Sequence, residues 1–212
     1  MKDFPVFTTE YGVASLILRE VPYQGIAYIR IQSSLDPENL LAECVSFCRM
    51  VGAERIYATG DPYLEAYPLY TAVWSFGCMR ESLGETDASL WPVTEETADR
   101  FREIYNQKAK KIPNAAWMDN AEQKRMLAQG DGYFVHRDGK LLGIGRTAGE
   151  SLLFLASLCP GAGADVVRAL ASVSREDRCV LDVASENKKA LALYDRLGFV
   201  KIAEKSRWHQ VL

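Results

Sequence analysis

Residues 187–199 read Asn-Lys-Lys-Ala-Leu-Ala-Leu-Tyr-Asp-Arg-Leu-Gly-Phe, and this stretch decides the fold assignment. Its apolar side chains recur at spacings of three and four, which predicts an amphipathic helix. Asn187 is a typical N-cap residue, and Gly198 follows the helix as a C-cap. Packing against a core accounts for the aliphatic residues. A buried phenol needs a hydrogen-bond partner, so Tyr194 is a candidate functional residue, with packing as its alternative.

Upstream of this helix, residues 158–164 read Leu-Cys-Pro-Gly-Ala-Gly-Ala. They follow a run of apolar residues over 151–158 that predicts a buried strand, and they precede a predicted helix over 164–173. Glycines in such a loop let main-chain N–H groups approach a ligand. The start of the helix adds unpaired donors and a positive dipole end, which suits a diphosphate. A structural tight turn is the alternative.

Together the two stretches resemble the GCN5-related N-acetyltransferases (GNAT family). The family's C-terminal pattern is N-x-x-A-x-x-L-Y-x-x-x-G-F, and the matching residues are Asn187, Ala190, Leu193, Tyr194, Gly198 and Phe199. The family's coenzyme loop, Q/R-x-x-G-x-G/A, is matched by Gly161 and Gly163, but Leu158 stands in place of its Gln or Arg. This departure removes one charge-assisted contact with coenzyme A. Arg146 and Arg168 are the candidates to compensate for it.

The resemblance implies an α/β (α+β) protein with a mixed sheet, which transfers an acetyl group from acetyl-CoA to an amine by direct attack. Tyr194 would be the general acid that protonates the leaving thiolate. Main-chain N–H groups of the 151–158 strand, splayed by a bulge, would polarise the thioester carbonyl. The base is Glu150, Asp182 or a water chain. The residues expected to contact the coenzyme are Ala156, Leu158, Gly161, Ala162, Gly163, Ala164 and Asn187.

The first half of the chain repeats a short residue spacing found in the second half. Ala66, Leu69 and Tyr70 repeat the spacing of the Tyr194 helix at an offset of 124 positions, and each set follows a predicted strand. Residues 1–84 are therefore predicted to be a partial GNAT-like half-repeat without the family's opening helices. This copy is expected to be non-catalytic, because its loop contains no glycine. A polar cluster over 84–89 is the predicted boundary, and residues 89–212 are the predicted acetyl-CoA-binding domain.

Alternating apolar residues and turn signals predict the remaining elements. In the first half these are antiparallel strands over 13–18 and 26–31, a helix from Asp36 to Gly52, a strand over 55–59, and a helical stretch over 63–73 followed by an extended piece. In the second half they are a helix that begins after Thr94, a helix over 119–129, a hairpin over 133–146 around Asp138-Gly139, and strands over 179–184 and from Phe199.

Composition excludes several function classes. The chain has 212 residues and a net charge of −3, without the basic bias of a nucleic-acid binder. No apolar stretch approaches the roughly 20 residues of a membrane span, and no signal-peptide pattern follows Met1, so a cytoplasmic location is expected. Five cysteines without a CxxC pair and two histidines argue against disulfides and metal sites.

The expected partners are acetyl-CoA, as co-substrate, and a primary amine of a small molecule or peptide. Neither a nucleic acid nor a membrane is expected as a partner, and a homodimer stays open. Two other functions also stay open. One is a catalytically weak or inactive protein that binds acyl-CoA, and the other is a scaffold protein that uses no coenzyme.

Overall fold

The computed structural model describes residues 5–212. The chain forms two compact units: residues up to Val73 together with Glu204–Leu212 make the first, and Trp74–Ala203 make the second. The polar cluster over 84–89 lies inside the second unit. No helix among the described residues is long and apolar enough to cross a membrane. The five cysteines are free thiols.

The first unit is a mixed sheet with one covering helix. Its elements are β1 (Val6–Thr9), β2 (Gly12–Ile17), α1 (Val21–Gln24), β3 (Ile26–Ser34), α2 (Pro37–Met50), β4 (Arg55–Thr59), the start of β5 (Leu69–Met79) and the end of β11 (Val200–Gln210). Strand order in this unit is β1-β2-β3-β4-β11-β5. The predicted antiparallel pair is confirmed as β2 and β3, and α2 connects β3 to the parallel β4. Buried residues of α2, such as Leu40 and Cys44, pack on one sheet face.

The helical stretch predicted over 63–73 is wrong. A 3-10 turn occupies Pro62–Ala66, and β5 follows it. Pro68 has no N–H to donate within a helix, and β-branched and aromatic residues that favour strands come after it. The internal echo of the Tyr194 helix therefore falls on a turn and a strand, so those positions do not share a local structure.

The second unit contains the longer mixed sheet. Its elements are the remainder of β5, a 3-10 turn over Arg80–Leu83, β6 (Ser89–Pro92), α3 (Ala98–Ala109), α4 (Asn120–Gln129), β7 (Gly132–Arg137), β8 (Lys140–Ala148), β9 (Ser151–Ser157), α5 (Gly163–Ala171), β10 (Arg178–Ala184), α6 (Lys188–Arg196) and the start of β11. Strand order is β11-β5-β10-β9-β8-β7-β6, with β6 to β9 antiparallel and β10 parallel to β9.

Two hydrophobic clusters cover the faces of this sheet. On one face, Phe101 of α3 and Met126 of α4 pack with Phe134 and Phe154, and we call this the α3–α4 cluster. On the other face, residues of α5 and α6, including Tyr194, pack with Leu181, and we call this the α5–α6 cluster. The sheet is therefore enclosed by a pair of helices on each side, and β9 runs through the middle of the unit.

Most elements of the second unit match the predictions. The β7–β8 hairpin is confirmed, with Asp138 and Gly139 both at positive φ of 51° and 71°. The helix expected after Thr94 begins one turn later, at Ala98, because the Thr97 hydroxyl accepts a hydrogen bond from the Thr94 N–H at 2.9 Å and holds a turn there. Strand β6 is short, contains a proline, and was not predicted.

Candidate functional site

The site begins where β9 and β10 separate. Only one pair of residues is in register between these parallel strands, Val180 with Ser151, at their N-terminal ends. Beyond that pair no residues of β9 and β10 are paired, and we call the space between the C-terminal parts of the two strands the wedge. The Leu158 N–H donates to the Leu142 carbonyl of β8 at 2.8 Å, so the preceding carbonyl, that of Ser157, points away from β8 and into the wedge. Main-chain groups on the edge of β9 that faces away from β8 can therefore hydrogen-bond to a ligand in the wedge.

A β-bulge shapes the same strand, as the resemblance to the GNAT family implied. On β8, Arg146 and Thr147 are consecutive, but their partners on β9 are Phe154 and Leu152. Leu153 is the extra residue, and its side chain is 53% exposed. The bulge shifts the alternation of faces, so Leu152 packs with the α5–α6 cluster and Phe154 with the α3–α4 cluster. It also twists the main chain beside the wedge.

The loop after β9 leads into a helix terminus without a side-chain cap. Ala162 is the N-cap residue of α5, and its side chain supplies no hydrogen bond to the first turn. The N–H groups at the start of α5, including those of Gly163 and Ala164, have no acceptor within the helix. Gly161 has a φ of 81°, and a Cβ atom at this position would meet no atom within 4 Å beyond its chain neighbours. In the first unit, by contrast, the Asp36 carboxylate caps α2 by accepting from the Asn39 N–H at 3.1 Å.

Gly163 has a packing role of its own. A Cβ atom at this position would lie 2.9 Å from Cδ2 of Leu193, so the absence of a side chain lets α5 approach α6 closely. Its φ is not positive, so conformational freedom is not the reason for a glycine here. Only its main-chain N–H is left for a ligand.

The two arginines proposed to replace the missing Gln or Arg have other partners. Arg146 is 7% exposed and makes two hydrogen bonds to Asp131, at 2.9 and 2.8 Å, and one to Glu122 at 2.7 Å. Burial alone would lower the pKa of Arg146, but these carboxylates raise it. Nε of Arg168 donates to the Leu83 carbonyl at 2.7 Å. Leu158 itself packs against the α3–α4 cluster, as does Ala156.

A cavity of about 330 Å³ lies against the outer side of the loop. The β7–β8 turn brings Arg137 and Lys140 to this cavity, where they face Gly161 and Asp165. Arg137 pairs with Asp165 at 3.0 Å and with Asp87 at 3.2 Å, and these carboxylates raise its pKa, Asp87 most strongly. Neither cation was predicted from the sequence to lie at this loop. The Asp138-Gly139 turn was visible, but its position beside the loop was not.

Tyr194 is 5% exposed and lies within the α5–α6 cluster, with its ring centroid 5.6 Å from that of Phe199. Burial raises the pKa of its phenol, so the hydroxyl keeps its proton at neutral pH. Asn187 is the N-cap of α6, where Oδ1 accepts a hydrogen bond from the Ala190 N–H at 3.3 Å, as predicted from the sequence.

Of the two candidate bases, Glu150 lies apart from the loop. Glu150 is exposed in the turn before β9, and its main-chain carbonyl accepts from Val180 at 2.8 Å. The seven residues of β9 separate it from the loop by about 20 Å. Asp182 is exposed on β10. Over residues 5–212, no three His, Cys, Asp or Glu side chains are grouped in a way that could hold a metal ion.

Comparison with solved structures identifies the architecture. A GCN5-related N-acetyltransferase from Anabaena variabilis ATCC 29413 has a TM-score of 0.61 and 14% identity, and the match covers 94% of this chain and 59% of that one. A tandem GNAT protein from the clavulanic acid biosynthesis pathway, solved without AcCoA, has a TM-score of 0.54 and 16% identity over 94% of this chain and 78% of that one. This chain has the GNAT fold.

A conserved protein of unknown function from Staphylococcus epidermidis ATCC 12228 has a TM-score of 0.64 and 11% identity, over 99% of this chain and 94% of that one. Sequence comparison adds nothing to these likenesses, because no protein-family profile and no curated protein matches the chain. At 9–16% identity, the GNAT likeness establishes the fold alone.

Proposed function

We propose that the second unit is an N-acyltransferase that moves an acetyl group from acetyl-CoA to a primary amine of a small molecule or peptide. The wedge between β9 and β10 carries this proposal. It offers main-chain hydrogen-bonding groups along a bulged strand that leads directly to an uncapped helix terminus. The extended pantetheine arm of the coenzyme suits the first feature, and its diphosphate suits the second.

In this reaction the amine nitrogen attacks the thioester carbonyl carbon, the C–S bond breaks, and the thiolate leaves. Main-chain N–H groups beside the Leu153 bulge would polarise the carbonyl oxygen. Tyr194 would donate its phenolic proton to the thiolate, a role that its raised pKa allows because the group stays protonated. The ammonium form of the acceptor would first lose a proton to water, relayed to an exposed carboxylate such as Glu150, because only the neutral amine carries the lone pair that attacks. The proton that the nitrogen loses after attack would restore the Tyr194 phenol.

In this proposal the coenzyme would contact Ala156, Leu158, Gly161, Ala162, Gly163, Ala164 and Asn187. Gly163 and Ala164 would contribute their main-chain N–H groups, and the first unit would take no part in the chemistry. Free thiols suit a reducing compartment, so we place the protein in the cytoplasm.

A second candidate function is an acyl-CoA-binding protein without turnover. Two observations favour it: strand β9 carries no carboxylate, and Leu158 replaces the charged or amide side chain of the loop pattern. The two functions share one binding site and differ in chemistry alone.

Calorimetric titration of the full chain with acetyl-CoA and with desulfo-CoA tests the shared site. We expect a micromolar dissociation constant, which corresponds to a binding free energy of about −8 kcal/mol. A library of primary amines, screened for release of free CoA thiol from acetyl-CoA, then separates the two functions. Turnover with any amine supports the transferase, and tight binding without turnover supports the binding protein. No heat and an unchanged melting temperature at millimolar ligand would refute both.

A further inference from the structure

The last turn of α3 places an ammonium group in the mouth of the wedge. Nζ of Lys108 donates a hydrogen bond to the main-chain carbonyl of Ser157 at 3.0 Å. That carbonyl points away from β8 into the space between β9 and β10. Lys108 lies four positions after Ile104 on the side of α3 that faces the sheet, so its aliphatic stem lies along the α3–α4 cluster while its charge reaches the edge of β9.

This ammonium has no acidic partner. Lys108 is half-buried. Within residues 5–212, its ammonium donates to the Ser157 carbonyl and forms no ion pair with a carboxylate. The arginines of the same unit differ: Arg137, Arg146 and Arg168 each lie within ion-pair distance of an Asp or Glu. A partly desolvated cation bound to a neutral carbonyl alone is incompletely compensated, and an anion in the wedge would complete its coordination.

The position of the ammonium matches the departure in the loop. Ser157 immediately precedes Leu158, where the GNAT loop pattern has a Gln or Arg and this chain has an apolar side chain. The uncapped N-terminus of α5 begins four residues further on. A positive charge held at the Ser157 carbonyl therefore lies at the junction between the strand that would bind pantetheine and the loop that would bind phosphates.

We propose that Lys108 supplies the cation missing at position 158 and binds the diphosphate of coenzyme A. The inference rests on the proposed function, because it takes an acyl-CoA as the ligand of the wedge. An ammonium has three N–H donors. One holds the Ser157 carbonyl, which fixes the charge in place, and the others reach the phosphate oxygens. A side chain from α3 thus takes the role that the loop pattern assigns to the end of β9.

The test compares coenzyme affinity among charge variants by calorimetry, with CoA and dephospho-CoA as the two probes. Dephospho-CoA lacks the 3′-phosphate and keeps the diphosphate. Lys108→Met removes the charge and keeps the length of the side chain, and Lys108→Arg keeps the charge. Lys111→Met is the matched control, since this exposed residue one turn away changes the net charge equally. Lys108→Gln replaces Lys108→Met if the latter lowers the melting temperature.

We expect Lys108→Met to lower the affinity for both probes by the same factor, about tenfold or more. The affinities of Lys108→Arg and Lys111→Met should stay close to that of the wild type. Equal affinity of Lys108→Met and the wild type would overturn the inference. Tighter binding by Lys108→Met would also overturn it, because Lys108 would then block the wedge. A loss seen with CoA and absent with dephospho-CoA would move the contact to the 3′-phosphate and contradict the diphosphate assignment. A wild type that binds neither probe would refute the proposed function itself.

Discussion

At the scale of single residues, charge and burial separate structural from functional side chains. Arg146, a candidate for coenzyme binding from the sequence, is almost fully buried and bound to two carboxylates. Arg137 lies next to the loop, and its side chain is 35% exposed. Its partners Asp87 and Asp165 are also accessible to water. A buried ion pair leaves uncompensated charges behind when one member is removed, whereas an exposed pair is screened by water.

Arg146→Met is therefore expected to lower the free energy of unfolding by about 3–5 kcal/mol, because Asp131 would stay buried without its partner. Arg137→Met is the comparison and should cost much less, because water screens its partly exposed ion pairs. Urea denaturation of the two variants measures both values. Equal costs would show that burial does not distinguish the two pairs.

Tyr194→Phe removes the phenolic hydroxyl and keeps the ring in its cluster. If Tyr194 protonates the leaving thiolate, turnover should fall about 100-fold while the affinity for acetyl-CoA stays near that of the wild type. Steady-state rates with an amine found in the library screen, together with calorimetry, measure the two effects. Tyr133→Phe, in the same cluster, is the control. An unaltered rate in Tyr194→Phe would assign the tyrosine to packing.

At the scale of secondary-structure elements, the site depends on how β9, α5 and α6 meet. The bulge at Leu153 redirects the strand, and Gly163 permits the close contact between α5 and α6. The contact made by Gly163 involves the flexible end of Leu193, so a methyl group at position 163 displaces that side chain more readily than it displaces the main chain.

Gly163→Ala should lower the melting temperature, and the loss should disappear in a Leu193→Ala background, where the Cβ atom has space. A double-mutant cycle by thermal or chemical denaturation should give a coupling of about 1 kcal/mol. The double variant should keep the wild-type affinity for acetyl-CoA, because the substitution at position 163 leaves the main-chain N–H in place. A cost of Gly163→Ala that is independent of residue 193 would contradict the contact.

Local signals account for the elements that could be predicted. The Asp36-Pro37-Glu38 start of α2 and the Asp138-Gly139 turn each require only nearby residues, and both are confirmed. The helix predicted over 63–73 is wrong, because Pro68 cannot donate a helical hydrogen bond and the residues after it favour a strand. The contact of Lys108 with Ser157 joins residues 49 positions apart. It depends on how α3 packs on the sheet, which no local pattern encodes.

At the scale of the whole molecule, the C-terminal residues belong to the unit formed by the N-terminal part of the chain. The last nine residues belong to the first unit, although the chain before them belongs to the second. In the first unit they pair with β4: the Ile56 N–H donates to the Leu212 carbonyl at 3.1 Å, and Val211 donates to Ile56 at 2.9 Å. Trp208 lies against Tyr28, with ring centroids 5.3 Å apart. The predicted division into a partial GNAT-like half-repeat over 1–84 and an acetyl-CoA-binding domain over 89–212 stays a prediction.

Deletion of residues 204–212 should therefore destabilise the first unit, because β4 loses its neighbouring strand and the Trp208 ring is removed. Hydrogen exchange should accelerate at the amides of β3 and β4. The β7–β8 hairpin provides the internal reference within the second unit. Unchanged protection of the Ile56 amide after the deletion would contradict the assignment of the C-terminal segment to the first unit.

Hydrogen exchange with and without acetyl-CoA shows whether an acyl-CoA binds in the wedge between β9 and β10. We predict slower exchange over residues 153–165, which include the bulge, the loop and the first turn of α5, and little change in the amides of α2. Binding in the wedge would be contradicted if saturating acetyl-CoA left residues 153–165 unprotected, or if the protection appeared in another part of the chain.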